Sequence, residues 1–140
     1  LRGMLIDLAA GGLREHSMNV RVVSFGFKYG IPIDADLVFD ARFLPNPYYV
    51  EDLRPMCGLD RPVRDFVFSY QQTREFMEML EHMIEFLLPL YIEEGKLGLT
   101  IAIGCTGGRH RSVSIARAVT EYLNKLGYAA YENHRDITRG

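Results

Sequence analysis

The sequence predicts a single α/β domain in which a central, mostly parallel sheet is flanked by helices. Three observations support this fold class. The chain has 140 residues, the size of one domain, which usually has about 100 to 200. Short apolar runs suited to strands are interspersed with longer stretches of helical periodicity. Hydrophobic residues make up 48% and charged residues 24% of the chain, which is typical of a globular protein.

Composition and charge exclude several classes of protein. No apolar run approaches the roughly 18 to 20 residues that span a bilayer, and the first four residues are not a signal peptide, so we expect a cytoplasmic protein without a membrane partner. Two cysteines and no His/Cys cluster predict neither a disulfide framework nor a metal site. Because the net charge is −2, anion binding must be local.

The first half of the chain contains two predicted strands. Residues 1–18 have helix-like spacing of apolar residues and are interpreted as a terminal helix or a linker. Residues 19–25 are β-branched and aromatic and predict a strand, and residues 37–40 predict a second. Pro45 and Pro47 then favour an extended loop.

The second half contains the clearest helices. Residues 69–72 match a capping box, and apolar residues then recur every three or four positions up to Gly95, with Pro89 expected to kink or end this helix near its last turn. Residues 97–103 predict a buried strand. A second amphipathic helix follows and is terminated at Gly127, and residues 128–131 predict a last strand.

The segment between the buried strand and the second amphipathic helix predicts an anion site. It has two adjacent glycines, and no acidic residue occurs between Gly95 and Thr120. Glycines let consecutive N–H groups turn toward one point, and a helix start adds about half a positive charge there. Arg111 can grip two phosphate oxygens, Arg109 and His110 add positive potential, and hydroxyls come from Thr106 and Ser112. The alternative is a plain strand-to-helix turn with solvated basic side chains.

The same loop also resembles that of the cysteine phosphatases. Cys105 and Arg111 are separated by five residues and Ser112 follows, which is the C-x5-R-S/T spacing. In that family the thiolate attacks phosphorus and the arginine clamps the transition state. Gly104 stands where a His is common, and no general-acid loop is evident. The carboxylates that folding could bring near are Asp34, Asp36 and Asp40. A buried structural role for Cys105 is the other interpretation.

Three stretches together resemble the C-terminal domain of the RapZ/YvcJ family. They are SFGFKYGIPIDADLVFDARFLPNP at residues 24–47, LRPMCGLDRPV at residues 53–63 and AIGCTGGRHRS at residues 102–112. The resemblance implies a fold similar to a phosphofructokinase subdomain over residues 19–140. It also implies that residues 1–18 lead from an N-terminal P-loop domain, which alone would bind ATP or GTP. No G-x-x-x-x-G-K-[ST] motif occurs here, so no cofactor is expected in this domain.

The resemblance further implies a non-catalytic RNase adapter. Such a protein binds small regulatory RNA, presents it to an endoribonuclease, senses glucosamine-6-phosphate and assembles as a homo-oligomer. A purely structural domain that oligomerises its partner domain is the remaining alternative, and it predicts no ligand at the loop.

The family's functional positions carry over as follows. The phosphate- and sugar-binding loop would be Cys105, Thr106, Gly107, Gly108, Arg109, His110, Arg111 and Ser112, with phosphate or sulfate as the simplest ligand. Asp40, Arg42 and Asn46 match the DxRFLPNP string and are expected on the sugar side, together with Tyr48, which stands where enteric relatives carry His. The expected RNA-binding residues are Lys28, Arg42, Arg54, Arg109, His110, Arg111, Arg135 and Arg139. From the residues alone, Asp40 is equally a turn residue and Asn46 a cap of its own loop.

Overall fold

Four parallel strands form the sheet of the computed structural model, which describes residues 18–139. These strands are β1 (Asn19–Gly26), β2 (Leu37–Asp40), β3 (Gly98–Cys105) and β4 (Ala129–His134), in the order β2-β3-β1-β4. All three pairings are parallel, and Gly26 at the end of β1 lies opposite Cys105 at the end of β3. The predicted fold class is therefore confirmed. The terminal helix or linker predicted for residues 1–18 lies outside the described residues, apart from Met18.

Three helices flank the sheet: α1 (Arg61–Phe68), α2 (Gln71–Glu93) and α3 (Arg111–Lys125). Helix α1 is a finding of the structure, because eight residues are too few to show a clear helical period. The predicted capping box is wrong: the residue before α2 is Tyr70, and the Ser69 hydroxyl donates instead to the carbonyl of Phe66. Pro89 lies inside α2, which continues past it to Glu93, so the helix does not end at the proline.

One hydrophobic cluster joins the helices to the sheet. Val22 of β1 and Ile101 of β3 are fully buried, and they belong to the same cluster as Ile84 of α2 and Val119 of α3.

No helix among the described residues is long and apolar enough to cross a membrane. Gly127 has φ = 104°, a left-handed conformation that suits the predicted end of α3.

The strand order places a crevice at the carboxyl edge of the sheet. All four strands run in one direction, so the loops that follow them meet at this edge. From β1 the chain continues to β2 on one side, whereas from β3 it continues to β4 on the other side. In open parallel sheets, ligands bind where successive connections diverge in this way. The fold alone thus directs attention to the loops after Gly26 and Cys105.

Candidate anion-binding site

The loop between β3 and α3 packs backbone against backbone on the end of β1. Gly108 has φ = 82°, and a Cβ added to it would lie 2.6 Å from the Gly26 nitrogen. A Cβ on Gly26 would lie 2.5 Å from the carbonyl carbon of Gly107. No hydrogen-bond acceptor of the described residues takes the amide N–H of Gly107 or Gly108. Gly108 therefore has the strain-relieving role of an ordinary turn and is itself buried, whereas the partly exposed Gly107 has an amide N–H without an acceptor among the described residues.

This loop forms one wall of a cavity of about 380 Å³, within the usual size range of small-molecule sites. The loops that follow all four strands contribute to its lining. The lining residues are Lys28, Tyr29, Asn46, Tyr48, Tyr49, Arg54, Cys105, Thr106, Gly107, Gly108, Arg109, His110, Arg111 and Arg139. Five of these carry a lysine or arginine charge, and none of these described lining residues is a carboxylate. The cavity is therefore a local positive region in a chain of net charge −2.

Arg111 is held rigidly in the cavity wall. Its Nη1 donates to the carbonyl oxygens of Arg42 at 2.6 Å and Leu44 at 3.2 Å, and its Nη2 lies 3.4 Å from the Thr106 hydroxyl. The side chain is buried, and no carboxylate of the described residues pairs with it. Arg111 thus fixes the segment after β2 against the loop between β3 and α3, and it places a positive charge in the cavity wall. Backbone carbonyls therefore accept some of the guanidinium hydrogen bonds that the sequence analysis expected phosphate to accept.

Arg109 and His110 anchor the segment before α1. Arg109 Nη2 donates to the Pro55 carbonyl at 3.1 Å, and His110 Nε2 lies 3.2 Å from the Arg54 carbonyl. Burial lowers the pKa of His110, and its hydrogen bonds to backbone carbonyls offset this only in part. His110 is therefore neutral at neutral pH, so the arginines rather than this ring supply the positive potential at the loop.

Cys105 has the surroundings of a structural cysteine. It is buried at the end of β3, and its thiol donates to the hydroxyl of the fully buried Ser112 at 3.1 Å. A Cβ at Gly104 would lie 2.5 Å from the Phe25 ring and 2.6 Å from the Phe27 ring, so a side chain there requires these rings to move. The carboxylates Asp34, Asp36 and Asp40 pair with Arg21, Lys96 and Arg42 respectively. None of those three carboxylates lines the cavity.

The DxRFLPNP residues divide between the cavity and its support. The Asp40 carboxylate and the Arg42 guanidinium form a bidentate ion pair with hydrogen bonds of 2.7 to 3.1 Å, and this hydrogen bonding lowers the pKa of Asp40. Neither side chain lines the cavity. Asn46 and Tyr48 do line it, and Asn46 Oδ1 also accepts the Tyr48 amide at 3.1 Å. The local roles that the residues alone allowed for Asp40 and Asn46 are thus present.

The candidate RNA-binding cations also differ in position. Lys28, Arg54 and Arg139 line the cavity, whereas Arg135 does not. Arg135 Nη2 donates instead to the Gly30 carbonyl at 2.6 Å and to the Asp136 carboxylate at 2.8 Å. Arg135 therefore ties the loop after β1 to the segment after β4.

Sequence reasoning missed Tyr29, Tyr49 and Asp136. The two tyrosines line the cavity; the aromatic run around Tyr29 was a usable signal, but Phe25 of that run lies in the core. Asp136 is fully buried and accepts the Gly26 amide at 2.8 Å. Burial alone would raise the pKa of Asp136, but hydrogen bonds from Arg135 and Gly26 outweigh it and lower the pKa. Nothing in a polar C-terminal segment marks that residue in advance.

Comparison with known proteins gives one family. A model of the family described as the RapZ C-terminal domain matches residues 18–138. A nucleotide-binding protein of Carboxydothermus hydrogenoformans is 48% identical over 99% of this chain, and one of Thermoanaerobacter sp. is 51% identical over 98%. A nucleotide-binding protein of Clostridium novyi is 54% identical over 88% of the chain. These alignments cover 48%, 48% and 42% of the relatives, so the chain spans about half the length of the curated relatives it matches.

Proposed function

Because the chain belongs to the RapZ C-terminal domain family, we propose that it is a non-catalytic module that binds a phosphorylated ligand in the basic cavity and RNA phosphates on the same surface. The observation that carries this proposal is the meeting of five lysine and arginine side chains, with no carboxylate among the described lining residues, at a glycine loop on the carboxyl edge of a parallel sheet. Phosphate is the group that such an arrangement selects.

A phosphosugar such as glucosamine-6-phosphate suits the layout of the cavity. The Gly107 amide, which has no acceptor among the described residues, and the nearby start of the 15-residue helix α3 form the phosphate end. Asn46 and the Tyr48 hydroxyl supply hydrogen-bonding groups for sugar hydroxyls on another wall. A cavity of about 380 Å³ accommodates a ligand of this size.

RNA is the second proposed ligand, and oligomerisation is part of that proposal. Each copy offers Lys28, Arg54 and Arg139 at exposed positions around the cavity. With a salt slope of about −0.7 per contacted phosphate for a single strand, three or four contacts per copy give weak and salt-sensitive binding. A homo-oligomer multiplies those contacts. Delivery of a small regulatory RNA to an endoribonuclease, the adapter role, belongs to the same proposal.

The test compares exposed cations inside and outside the cavity. We expect Lys28→Gln and Arg139→Gln each to weaken binding of inorganic phosphate, glucosamine-6-phosphate and RNA by roughly 2- to 13-fold at fixed salt, since each removes about 0.5 to 1.5 kcal/mol of interaction with the anion. Arg61→Gln is the matched control, because Arg61 is 90% exposed and lies outside the cavity. Isothermal titration calorimetry measures the affinities. Equal affinities for all three variants would show that the ligand binds elsewhere.

A separate measurement tests the non-catalytic part of the proposal. Cys105 lines the cavity at the phosphatase spacing from Arg111, so hydrolysis of an aryl phosphate is the relevant activity. We expect no turnover by the wild-type chain and unchanged phosphate binding by Cys105→Ser. Turnover that disappears in Cys105→Ser would instead establish a cysteine phosphatase.

A further inference from the structure

Two neighbouring tyrosines on the rim of the cavity expose unusually large aromatic surfaces. Tyr48 is 53% and Tyr49 77% exposed, and both line the cavity. Their ring centroids are 5.6 Å apart and their planes meet at 85°. An edge-to-face pair of this kind leaves ring surface open to a further planar group. The phosphosugar proposed above uses only the hydroxyl of Tyr48, and it gives no role to the more exposed ring of Tyr49.

The backbone that carries this tyrosine platform (Tyr48 and Tyr49) is held in place before any ligand binds. Pro47 is buried at the start of a short 3-10 turn that includes both tyrosines. Asn46 Oδ1 accepts the Tyr48 amide at 3.1 Å, and Arg54 Nε donates to the Tyr48 carbonyl at 2.7 Å. A pre-ordered surface loses less conformational entropy on binding than a flexible one.

Cations lie beside the platform and beside another aromatic residue of the cavity lining. The Arg54 guanidinium lies 5.0 Å from the centroid of the Tyr48 ring. Lys28 Nζ and the Arg139 guanidinium lie 5.3 and 4.8 Å from the ring centroid of Tyr29, which also lines the cavity. Aromatic surfaces beside a positively charged groove are the arrangement that binds single-stranded nucleic acid, because each base offers a π face and each phosphate a charge.

We propose that the tyrosine platform stacks unpaired bases of RNA while the neighbouring cations hold the backbone phosphates. The inference rests on the proposed function, because it uses the same cavity and the same cations. It goes further by assigning the class of RNA: single-stranded segments, since the bases of a duplex are stacked on one another and cannot reach an aromatic platform. It also assigns the ring faces of Tyr48 and Tyr49 to RNA bases, while the Tyr48 hydroxyl keeps its proposed role toward the sugar hydroxyls.

The experiment uses the 140-residue chain and a single-stranded RNA of roughly ten nucleotides, a length within the range that single-strand sites cover, labelled with 2-aminopurine. We expect Tyr49→Ala to weaken binding of this RNA about 5- to 150-fold, with loss of the 2-aminopurine quenching. Tyr49→Phe restores both, because the ring and not the hydroxyl stacks. Tyr131→Ala is the matched control: Tyr131 is a 55% exposed tyrosine on β4 outside the cavity lining, and its loss leaves RNA affinity unchanged.

Two further measurements separate the possible outcomes. Inorganic phosphate binds Tyr49→Ala as tightly as wild type if the platform serves bases alone. If the RNA affinities of Tyr48→Ala and Tyr49→Ala equal that of wild type while Lys28→Gln lowers it, the platform proposal is wrong and the proposed function stands. An equal loss for duplex and single-stranded RNA in Tyr49→Ala also overturns base stacking. If wild type binds neither phosphate nor RNA, the proposed function fails and the platform proposal falls with it.

Discussion

The contact between the loop that joins β3 to α3 and the end of β1 gives a quantitative prediction about stability. In Gly108→Ala, the new residue keeps a φ near 82°, a left-handed conformation that costs a non-glycine residue about 1 to 2 kcal/mol. Its Cβ lies 2.6 Å from the Gly26 nitrogen and 2.9 Å from the Phe25 carbonyl carbon. These are backbone atoms of a central strand, so relieving the overlap costs about 1 to 3 kcal/mol more. The free energy of unfolding should fall by about 2 to 5 kcal/mol.

The adjacent glycine is the matched control. A Cβ on Gly107 has no atom within 4 Å, and its φ is outside the left-handed range. Gly107→Ala should therefore change the free energy of unfolding by less than about 1 kcal/mol, with a small gain expected from the stiffer unfolded chain. Thermal unfolding followed by circular dichroism measures both variants, and Gly108→Ala should lower Tm by about 6 to 20 °C. Similar Tm values for the two alanine variants would refute the packing of the loop against β1.

Four other predictions concern buried or hydrogen-bonded groups. Asp136→Asn should lower the free energy of unfolding by about 2 to 4 kcal/mol at neutral pH. Because folding lowers the pKa of Asp136, its contribution to stability is complete above pH 3.8 and is lost as the pH falls through the pKa of the folded state. The urea midpoint of this variant should therefore depend less on pH in the acid range than that of wild type. Folding lowers the pKa of His110 from 6.5, so its contribution to stability is complete above pH 6.5 and decreases as the pH falls toward the pKa of the folded state. The urea midpoint of His110→Gln should therefore change less with pH over that interval. Arg111→Lys keeps the charge but loses the paired hydrogen bonds to backbone carbonyls, so the free energy of unfolding should fall by about 1 to 3 kcal/mol, with a lower Tm. Calorimetry should also show weaker phosphate binding. The hydrogen bond to Glu85 raises the pKa of Tyr122 to about 12, and an ultraviolet absorbance titration should show that Glu85→Gln lowers it.

Much of the architecture could be predicted from local pattern. The strand of residues 37–40 has the predicted bounds, and the strand predicted at residues 19–25 extends one residue further, to Gly26. The amphipathic period identified α2, whereas α1 is only eight residues long and gives too few repeats of its period. The capping prediction was wrong for a local reason. The Ser69 hydroxyl is bonded to the end of α1, so it does not cap the helix that follows it.

The sequence by itself determined which loop is the candidate for phosphate binding. Adjacent glycines, a run free of acidic residues and a following helix are all local, and each acts through backbone conformation or charge at short range. Only the tertiary structure decided which distant residues complete the cavity. Tyr29 and Arg139 lie far apart in sequence yet line the same space, while Asp40 and Arg42 bind each other outside it. The physical reason is the parallel sheet, which brings the loops after four strands to one edge. The local periodicity of the sequence does not show which side chains of those loops then face each other.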